Sequence, residues 1–411
     1  MTHPYLRWIK IHRYQRFKDV EIEFSPDENL LLGMNGAGKT QLLRLLGAVI
    51  ADDYARVKEQ DFHIEFDIVY EAGSLRGLVK HARSESEFTQ PDDLRRSASS
   101  IEATLQASTP VGSWHATVHD GAVTFSEPSL QSLSRVHYPT SPLLSALTAL
   151  LELGDRRGTR PSPLVLDPCH VHEDDRDFRV LTQELAFDLD PRRNVKFTAG
   201  NFRFGRPLVL LALLASTALR SDGTIEELPL GDPRSQRFGV TDGIIRSVLA
   251  PLRAESIFLA PERLSESEGL IHCKGVRLKL HFRPGETIWD AGLTFGQRRY
   301  LIAALLAAIS GNAPFLIDEP DNGLHPRLVE ALIRSLEGRQ RFFACHNKLV
   351  IDFTRFASPA DVQQKIHIVK RDDAGNQSVE RLDEATARNI FESIDVGIMH
   401  PADVLRAEGI W

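Results

Sequence analysis

Gly33-Met34-Asn35-Gly36-Ala37-Gly38-Lys39-Thr40 has the residue types and spacing that hold a polyphosphate, Gly-x-x-x-x-Gly-Lys-Thr. Its glycines let backbone N–H groups turn inward around the anion. A helix beginning near Lys39 would point its partly positive N-terminus at the same phosphates. Lys39 would reach the β- and γ-phosphates, and the Thr40 hydroxyl would bind Mg²⁺. A second stretch supplies acids. Ala313-Pro314-Phe315-Leu316-Ile317-Asp318-Glu319 is an apolar run ending in two carboxylates. A buried parallel strand delivers carboxylates to a nucleotide site in this way. Asp318 would hold Mg²⁺ through water, and Glu319 would be the general base that polarises the attacking water. A nucleoside polyphosphate and Mg²⁺ are the ligands expected.

These residues need elements to position them. Asn29–Leu32 reads as a buried strand feeding the loop, and 41–50 (QLLRLLGAVI) as the helix leaving it. Upstream, Leu6–Lys10 and Asp19–Phe24 read as strands, the second alternating with Val20, Ile22 and Phe24 on one face. Residues 60–125 read as antiparallel sheet around a polar loop at 84–99. Helices are expected at 141–153, 206–220 and 242–252. Residues 155–163 read as a basic loop and 164–205 as irregular. A hairpin over 270–282 is expected to turn at Lys274-Gly275. Gln297–Ser310 reads as an almost wholly apolar helix. A final hairpin over 366–382 turns at Asp373–Asn376, with a helix from Glu384.

Composition excludes some partners. The net charge of −7 means that nucleic acid would have to meet a local patch rather than the whole surface. The longest apolar stretch, Leu208 to Leu219, is too short to span a bilayer, so no membrane segment is expected. The opening Met-Thr-His-Pro carries no apolar run, so no signal peptide is expected. Cys169, Cys273 and Cys345 are scattered without pairing logic, which suits a reducing, cytoplasmic setting. Cys169-His170-Val171-His172-Glu173-Asp174 lacks a second ligand pair at zinc spacing and reads as an ordinary polar cluster. Asn194–Arg206 interleaves Lys196, Arg203 and Arg206 with Phe197, Phe202 and Phe204. That pattern suits packed aromatics or, alternatively, base stacking.

Four segments then fall in a shared order: Gly33–Thr40, Leu293-Thr294-Phe295-Gly296-Gln297, Phe315–Glu319 and His346. In this order and spacing the chain resembles the ABC-type ATPases, with Leu-Thr-Phe-Gly-Gln where Leu-Ser-x-Gly-Gln is usual. The resemblance implies that Asn35 through Gln41 hold ATP within one head. It implies that Thr294, Gly296 and Gln297 serve as the signature and that Asn322 lies in the inter-subunit loop. It also implies that His346 touches the γ-phosphate. The opening Ile9–Asp19 run and Asp318-Glu319-Pro320-Asp321-Asn322-Gly323-Leu324-His325-Pro326 are similar to the SMC, RecF and OLD-like branch. Arg13-Tyr14-Gln15 departs from the usual Asn-Phe-Arg, and Cys345-His346-Asn347 from Thr-His-Ser. The linking glutamine loop is either Leu259–Arg263 or Gln60.

The fold implied is α/β: a P-loop NTPase, an ABC-ATPase head with a mixed core sheet, an antiparallel β subdomain and a helical lobe. We expect a single head over 1–411, with an N-terminal lobe at 1–135, a helical insert at 136–290 and the remaining motifs at 291–411. No heptad run and no internal repeat is found, and only residues 347–411 follow His346. A bare head without coiled coil or nuclease domain is therefore expected. Its implied partners are a second copy in a head-to-head dimer or higher oligomer, a separate effector such as a nuclease, and, as an open alternative, DNA. The resemblance implies DNA repair or maintenance, or anti-phage defence. Alternatives are a transporter ATPase subunit, disfavoured by the wide gap between Lys39 and Gly296, and a nucleotide-sensing scaffold with little turnover.

Overall fold

The computed structural model describes residues 3–51, 54, 57, 60–70, 73–82, 101–109, 112–119, 122–126, 169–171, 185–188, 227–231, 241–267, 270–283, 285–309, 312–346, 348–396 and 400–409. The expectations at 84–99, 141–153, 155–163, 194–206 and 206–220 lie outside these residues. The chain divides into two compact units. One comprises 1–168, 312–318 and 338–411, the other 169–311 and 319–337.

The first unit is built on a large mixed sheet. At its centre Ile366–Arg371, Glu28–Leu32, Arg341–Cys345 and Phe315–Asp318 lie parallel, in that order. All of Glu28–Leu32 and Phe315–Asp318 is buried, as parallel strands covered on both faces require. Glu28 is the exception in type. Its carboxylate is buried against the Arg341 guanidinium and accepts from Thr354 Oγ1 at 2.6 Å. Outward from Ile366–Arg371 follow Gln377–Arg381, Phe17–Glu23 and Tyr5–Tyr14. The antiparallel strands Phe62–Tyr70, Gly73–His81, Ile101–Thr109, Gly112–His119 and Ala122–Phe125 come next. The helix Lys39–Ala51 buries Leu42, Leu45, Leu46 and Val49 in one cluster with Ile9, Ile11, Ile64 and Phe342. Each such side chain contributes about 2 kcal/mol of burial free energy. The opening strand is longer than expected, Tyr5–Tyr14, because it is paired along both edges.

Among the described residues the second unit carries a smaller antiparallel sheet and three α-helices. Ala254–Ser267 and Leu270–Phe282 form a long hairpin, and Leu185–Asp188, Leu228–Pro229 and Thr287–Trp289 pair against it. This corrects two expectations. The hairpin does not turn at Lys274-Gly275. Leu270–Phe282 is one strand paired with Ala254–Ser267 on both sides of Lys274-Gly275, which fall at a register shift between the pairs Cys273–Arg263 and Val276–Pro261. Backbone pairing with a partner before it in sequence overrides the local turn chemistry. The irregular segment 164–205 contains the short strands Cys169–Val171 and Leu185–Asp188. The expected helix at 242–252 is Asp242–Leu249 followed by a tighter turn, Ala250–Leu252, where Pro251 enters. Phe295–Ile309 is buried almost all round, and Pro326–Ser335 buries Leu328, Val329, Leu332 and Ile333.

Candidate functional site

Strand register brings the candidate residues of the first unit together. Leu32, the last residue before Gly33, pairs with Cys345, the last before His346. One residue earlier, Leu31 pairs with Ala344 and Ala344 with Asp318. The phosphate loop, His346 and Asp318 therefore leave the sheet at the same carboxyl edge. Asp318 lies two strand spacings, about 10 Å, from the strand that feeds the loop. It is buried, whereas His346 is exposed.

The loop has the shape of an anion cradle. Gly36 and Gly38 have φ of 77° and 110°, a region closed to most side chains. A Cβ on Gly36 would meet nothing within 4 Å. At Gly33 a Cβ would lie 2.2 Å from the Val369 carbonyl oxygen, and at Gly38 it would lie 2.2 Å from the Gln377 side-chain nitrogen. Lys39 is buried, and its ammonium donates to the carbonyls of Gly33 at 2.7 Å and Met34 at 3.1 Å. It is thus folded over the cradle, where a phosphate oxygen could replace a carbonyl. Asn35 and Gly36 are exposed at the rim, Ala37 is buried, and Thr40 and Gln41 are half-buried at the helix start. A hydroxyl at Thr40 and a buried carboxylate at Asp318 are the hard oxygen donors that Mg²⁺ prefers, so the residues present fit that ion.

Sequence reasoning missed Gln377. From strand Gln377–Arg381 its amide nitrogen donates to the Ala37 carbonyl at 3.0 Å and to Gln41 Oε1 at 2.9 Å. It buttresses the loop from 340 residues away. Its own backbone N–H is fixed by the Arg16 carbonyl at 3.0 Å.

In the second unit the signature turn caps its helix reciprocally. The Gln297 N–H donates to Thr294 Oγ1 at 3.3 Å, and Gln297 Oε1 accepts from the Thr294 N–H and hydroxyl, both at 3.0 Å. That is a capping box, legible in the Thr-x-x-Gln spacing. Gly296 is buried against the Gly323 carbonyl, where a Cβ would approach within 2.3 Å, and the Phe295 ring lies on Gly323. The Thr294–Gln297 turn and the Glu319–Leu324 turn are thus interlocked. Glu319 opens the latter at φ 49°. Its carbonyl accepts from the Asn322 N–H at 3.0 Å and from the Arg299 guanidinium at 2.8 Å. Arg299 is buried, and Asn322 is exposed. Asp321 is buried, with Oδ1 lacking a hydrogen-bond partner among the described residues.

The glutamine-loop candidate Leu259–Arg263 lies in the strand Ala254–Ser267, at an irregularity between Pro261 and Arg263. Gln60 lies in the first unit, where its carbonyl faces His81 Nδ1 at 3.2 Å. Among the described residues no group of His, Cys, Asp or Glu could hold a metal by itself. Cys169–Val171 is strand, and 172–174 fall outside the described residues. No helix among the described residues is long and apolar enough to cross a membrane.

Comparison with known proteins gives two family matches. The family described as "AAA domain, putative AbiEii toxin, Type IV TA system" matches residues 171–352, and one described as "AAA domain" matches residues 9–105. The second match takes in the phosphate loop. The first takes in the signature, both acids and His346. No curated protein matches the chain. Among solved structures it is similar to an SMC head domain from Thermotoga maritima, at 12% identity and a TM-score of 0.36, over 92% of this chain and 99% of that one. It is also similar to a Pyrococcus furiosus SMC head bound to the C-terminal domain of ScpA, at 13% identity and a TM-score of 0.45, over 95% and 100%. A RecF–ATP structure matches at 12% identity and a TM-score of 0.34, over 84% and 94%. The two family matches together take in the loop, the acid-tipped strand and the capped turn at Thr294–Gln297, so each of these stretches is similar to an AAA domain.

Proposed function

We propose that the chain binds and hydrolyses ATP and that two copies close around the nucleotide to do so. The carrying observation is the register that delivers Gly33, Asp318 and His346 to one sheet edge. In this reading the N–H groups of Asn35 through Gln41 hold the phosphates, and Lys39 neutralises the β- and γ-oxygens. Thr40 and Asp318 hold Mg²⁺, which when bound offsets charge on those oxygens. Glu319 accepts the proton of the attacking water as it adds to the γ-phosphorus, ADP leaves, and His346 holds the γ-phosphate in line.

Thr294, Gly296, Gln297 and Asn322 of a second copy complete the site. Two large exposed apolar side chains support closure between copies: Met34 in the phosphate loop and Phe295 in the signature turn. Exposed apolar groups at functional loops suit a surface that becomes covered. The closing and opening of heads would gate a separate effector protein, in DNA repair or maintenance or in anti-phage defence. The two compact units then serve one cytoplasmic ATPase head.

The test is Glu319→Gln with ATP on a sizing column. The substitution keeps the shape of the site and removes the base, so an ATP-dependent dimer should accumulate. A monomer at all ATP concentrations, with nucleotide shown to be bound, would refute closure between copies.

A further inference from the structure

Two guanidiniums meet over one glycine of the last hairpin. The strands Ile366–Arg371 and Gln377–Arg381 are joined by a tight turn in which Gly375 has φ 84° and donates its N–H to the Asp372 carbonyl at 2.9 Å. Gly375 is buried, whereas Arg16 and Arg371 beside it are exposed. A Cβ on Gly375 would lie 2.6 Å from Arg16 Nη1 and 3.4 Å from Arg371 Nη2. Arg16 Nη1 also donates to the Gly375 carbonyl at 3.4 Å. Like charges about 6 Å apart or closer repel in water, and more strongly beside protein.

Nothing among the described residues offsets that repulsion. Neither guanidinium has an ion pair there, although other cations of the same hairpin do. Lys370 pairs with Glu380 at 2.7 Å and Arg381 with Glu23 at 3.0 Å. The acid that opens the turn is already engaged. Asp372 Oδ1 accepts from the Asn376 N–H at 2.7 Å, and Oδ2 from the Asn376 side-chain amide at 3.0 Å.

The chemistry of the pair limits the occupant. Each guanidinium offers a planar fork of N–H donors that matches an oxyanion. One fork fills both oxygens of a carboxylate. A tetrahedral phosphate has oxygens left for a second fork, and its charge of about −2 matches two guanidiniums. We infer that Arg16 and Arg371 together bind a dianionic phosphate group at a place other than the phosphate loop. Its source is either inorganic phosphate or a phosphate monoester on a small molecule. The site is tied to the loop: the Arg16 carbonyl accepts from the Gln377 N–H at 3.0 Å, and the Gln377 amide holds Ala37 and Gln41. An occupant would therefore brace the hairpin that buttresses the loop. The site itself does not rest on the ATPase reading.

The experiment is calorimetric titration of the full chain with inorganic phosphate and with glycerol 3-phosphate, at about pH 8, where the phosphate is mainly dianionic. It is run with saturating ADP and again on Lys39→Ala without nucleotide, so that failure of the ATPase reading leaves it intact. Saturable binding should appear in both. Arg16→Ala with Arg371→Ala should weaken it about tenfold or more, the loss expected for charge-assisted hydrogen bonds. Arg16→Lys with Arg371→Lys keeps the charges without the forks and should recover part of that loss. Asp373→Asn removes a carboxylate from the same turn and should tighten binding about twofold, a gain that damage to the turn cannot produce. The probe that binds more tightly identifies the source. The inference is overturned if neither probe binds, if the double alanine variant binds unchanged, or if malonate binds as tightly as phosphate. It is also overturned if ADP abolishes phosphate binding to the wild type, which would put that phosphate in the loop.

Discussion

The Arg299 guanidinium, buried in the second unit, donates to the backbone carbonyl of Glu319 at 2.8 Å. Glu319 sits at φ 49°, a conformation that costs a non-glycine residue about 1 kcal/mol or more and persists only where neighbours enforce it. Arg299 is therefore a positioning residue for the proposed base, not a participant in the chemistry. Arg299→Ala should lower kcat about tenfold or more, equivalent to about 1.4 kcal/mol, with KM for ATP changed by less than about threefold. Arg299→Lys, which retains a donor, should recover part of the loss. Equal losses in both variants, with KM rising, would point to a merely structural role.

Two glycines of the phosphate loop should fail in different ways. Gly33→Ala drives a Cβ into the Val369 backbone, 2.2 Å away, and must displace a buried strand. Its melting temperature should fall by several degrees. Gly36→Ala meets no atom within 4 Å and costs about 1 kcal/mol of backbone strain at φ 77°. Its melting temperature should stay near wild type while affinity for a fluorescent ATP analogue falls about tenfold or more, because the methyl occupies the cradle. Thermal scans beside nucleotide titrations separate the two.

Gln377 ties the last hairpin to the loop through Ala37 and Gln41. Gln377→Leu should raise KM for ATP several-fold with little change in kcat. Gln377→Glu should be worse, since it sets a carboxylate against the Ala37 carbonyl and near the bound phosphates. Steady-state kinetics on the two variants decide it.

Burial holds the His367 pKa down to about 3, with a smaller contribution from the positive charge of Arg381. The ring is neutral in the folded protein, while its unfolded counterpart protonates near pH 6.5. Between those values the unfolded state binds the extra proton. Stability due to this group is therefore complete above about pH 6.5 and declines by about 1.4 kcal/mol per unit as pH falls towards 3. His367→Gln should flatten the fall in urea midpoint between about pH 7 and 5.5 relative to wild type. An unchanged slope would contradict the assignment.

How much of this was legible in the sequence depends on whether the partners are local. Gly33–Thr40, Asp318 and Glu319 stand out because phosphate and metal chemistry demands particular residue types at short spacing. The helix cap at Thr294 and Gln297 is legible for the same reason. Gln377 and Arg299 are not: one acts across 340 positions and the other through a backbone carbonyl 20 positions away. The Lys274-Gly275 misreading has the same origin. A glycine beside a lysine looks like a turn until the pairing of Leu270–Phe282 with Ala254–Ser267 is known. Within the sheet, alternation marks Phe62–Tyr70, because one buried face imposes a period of two, while Gly73–His81 and Ile101–Thr109 are legible only as part of a sheet over 60–125.

The most direct measurement is single-turnover ATP hydrolysis by the full chain beside Lys39→Ala and Glu319→Gln, with nucleotide binding measured on each. The account predicts that Lys39→Ala loses binding and turnover together. Glu319→Gln should keep binding while its turnover falls about a hundredfold or more. Turnover in Glu319→Gln equal to wild type, with ATP bound, would contradict the claim that Glu319 activates water in this head.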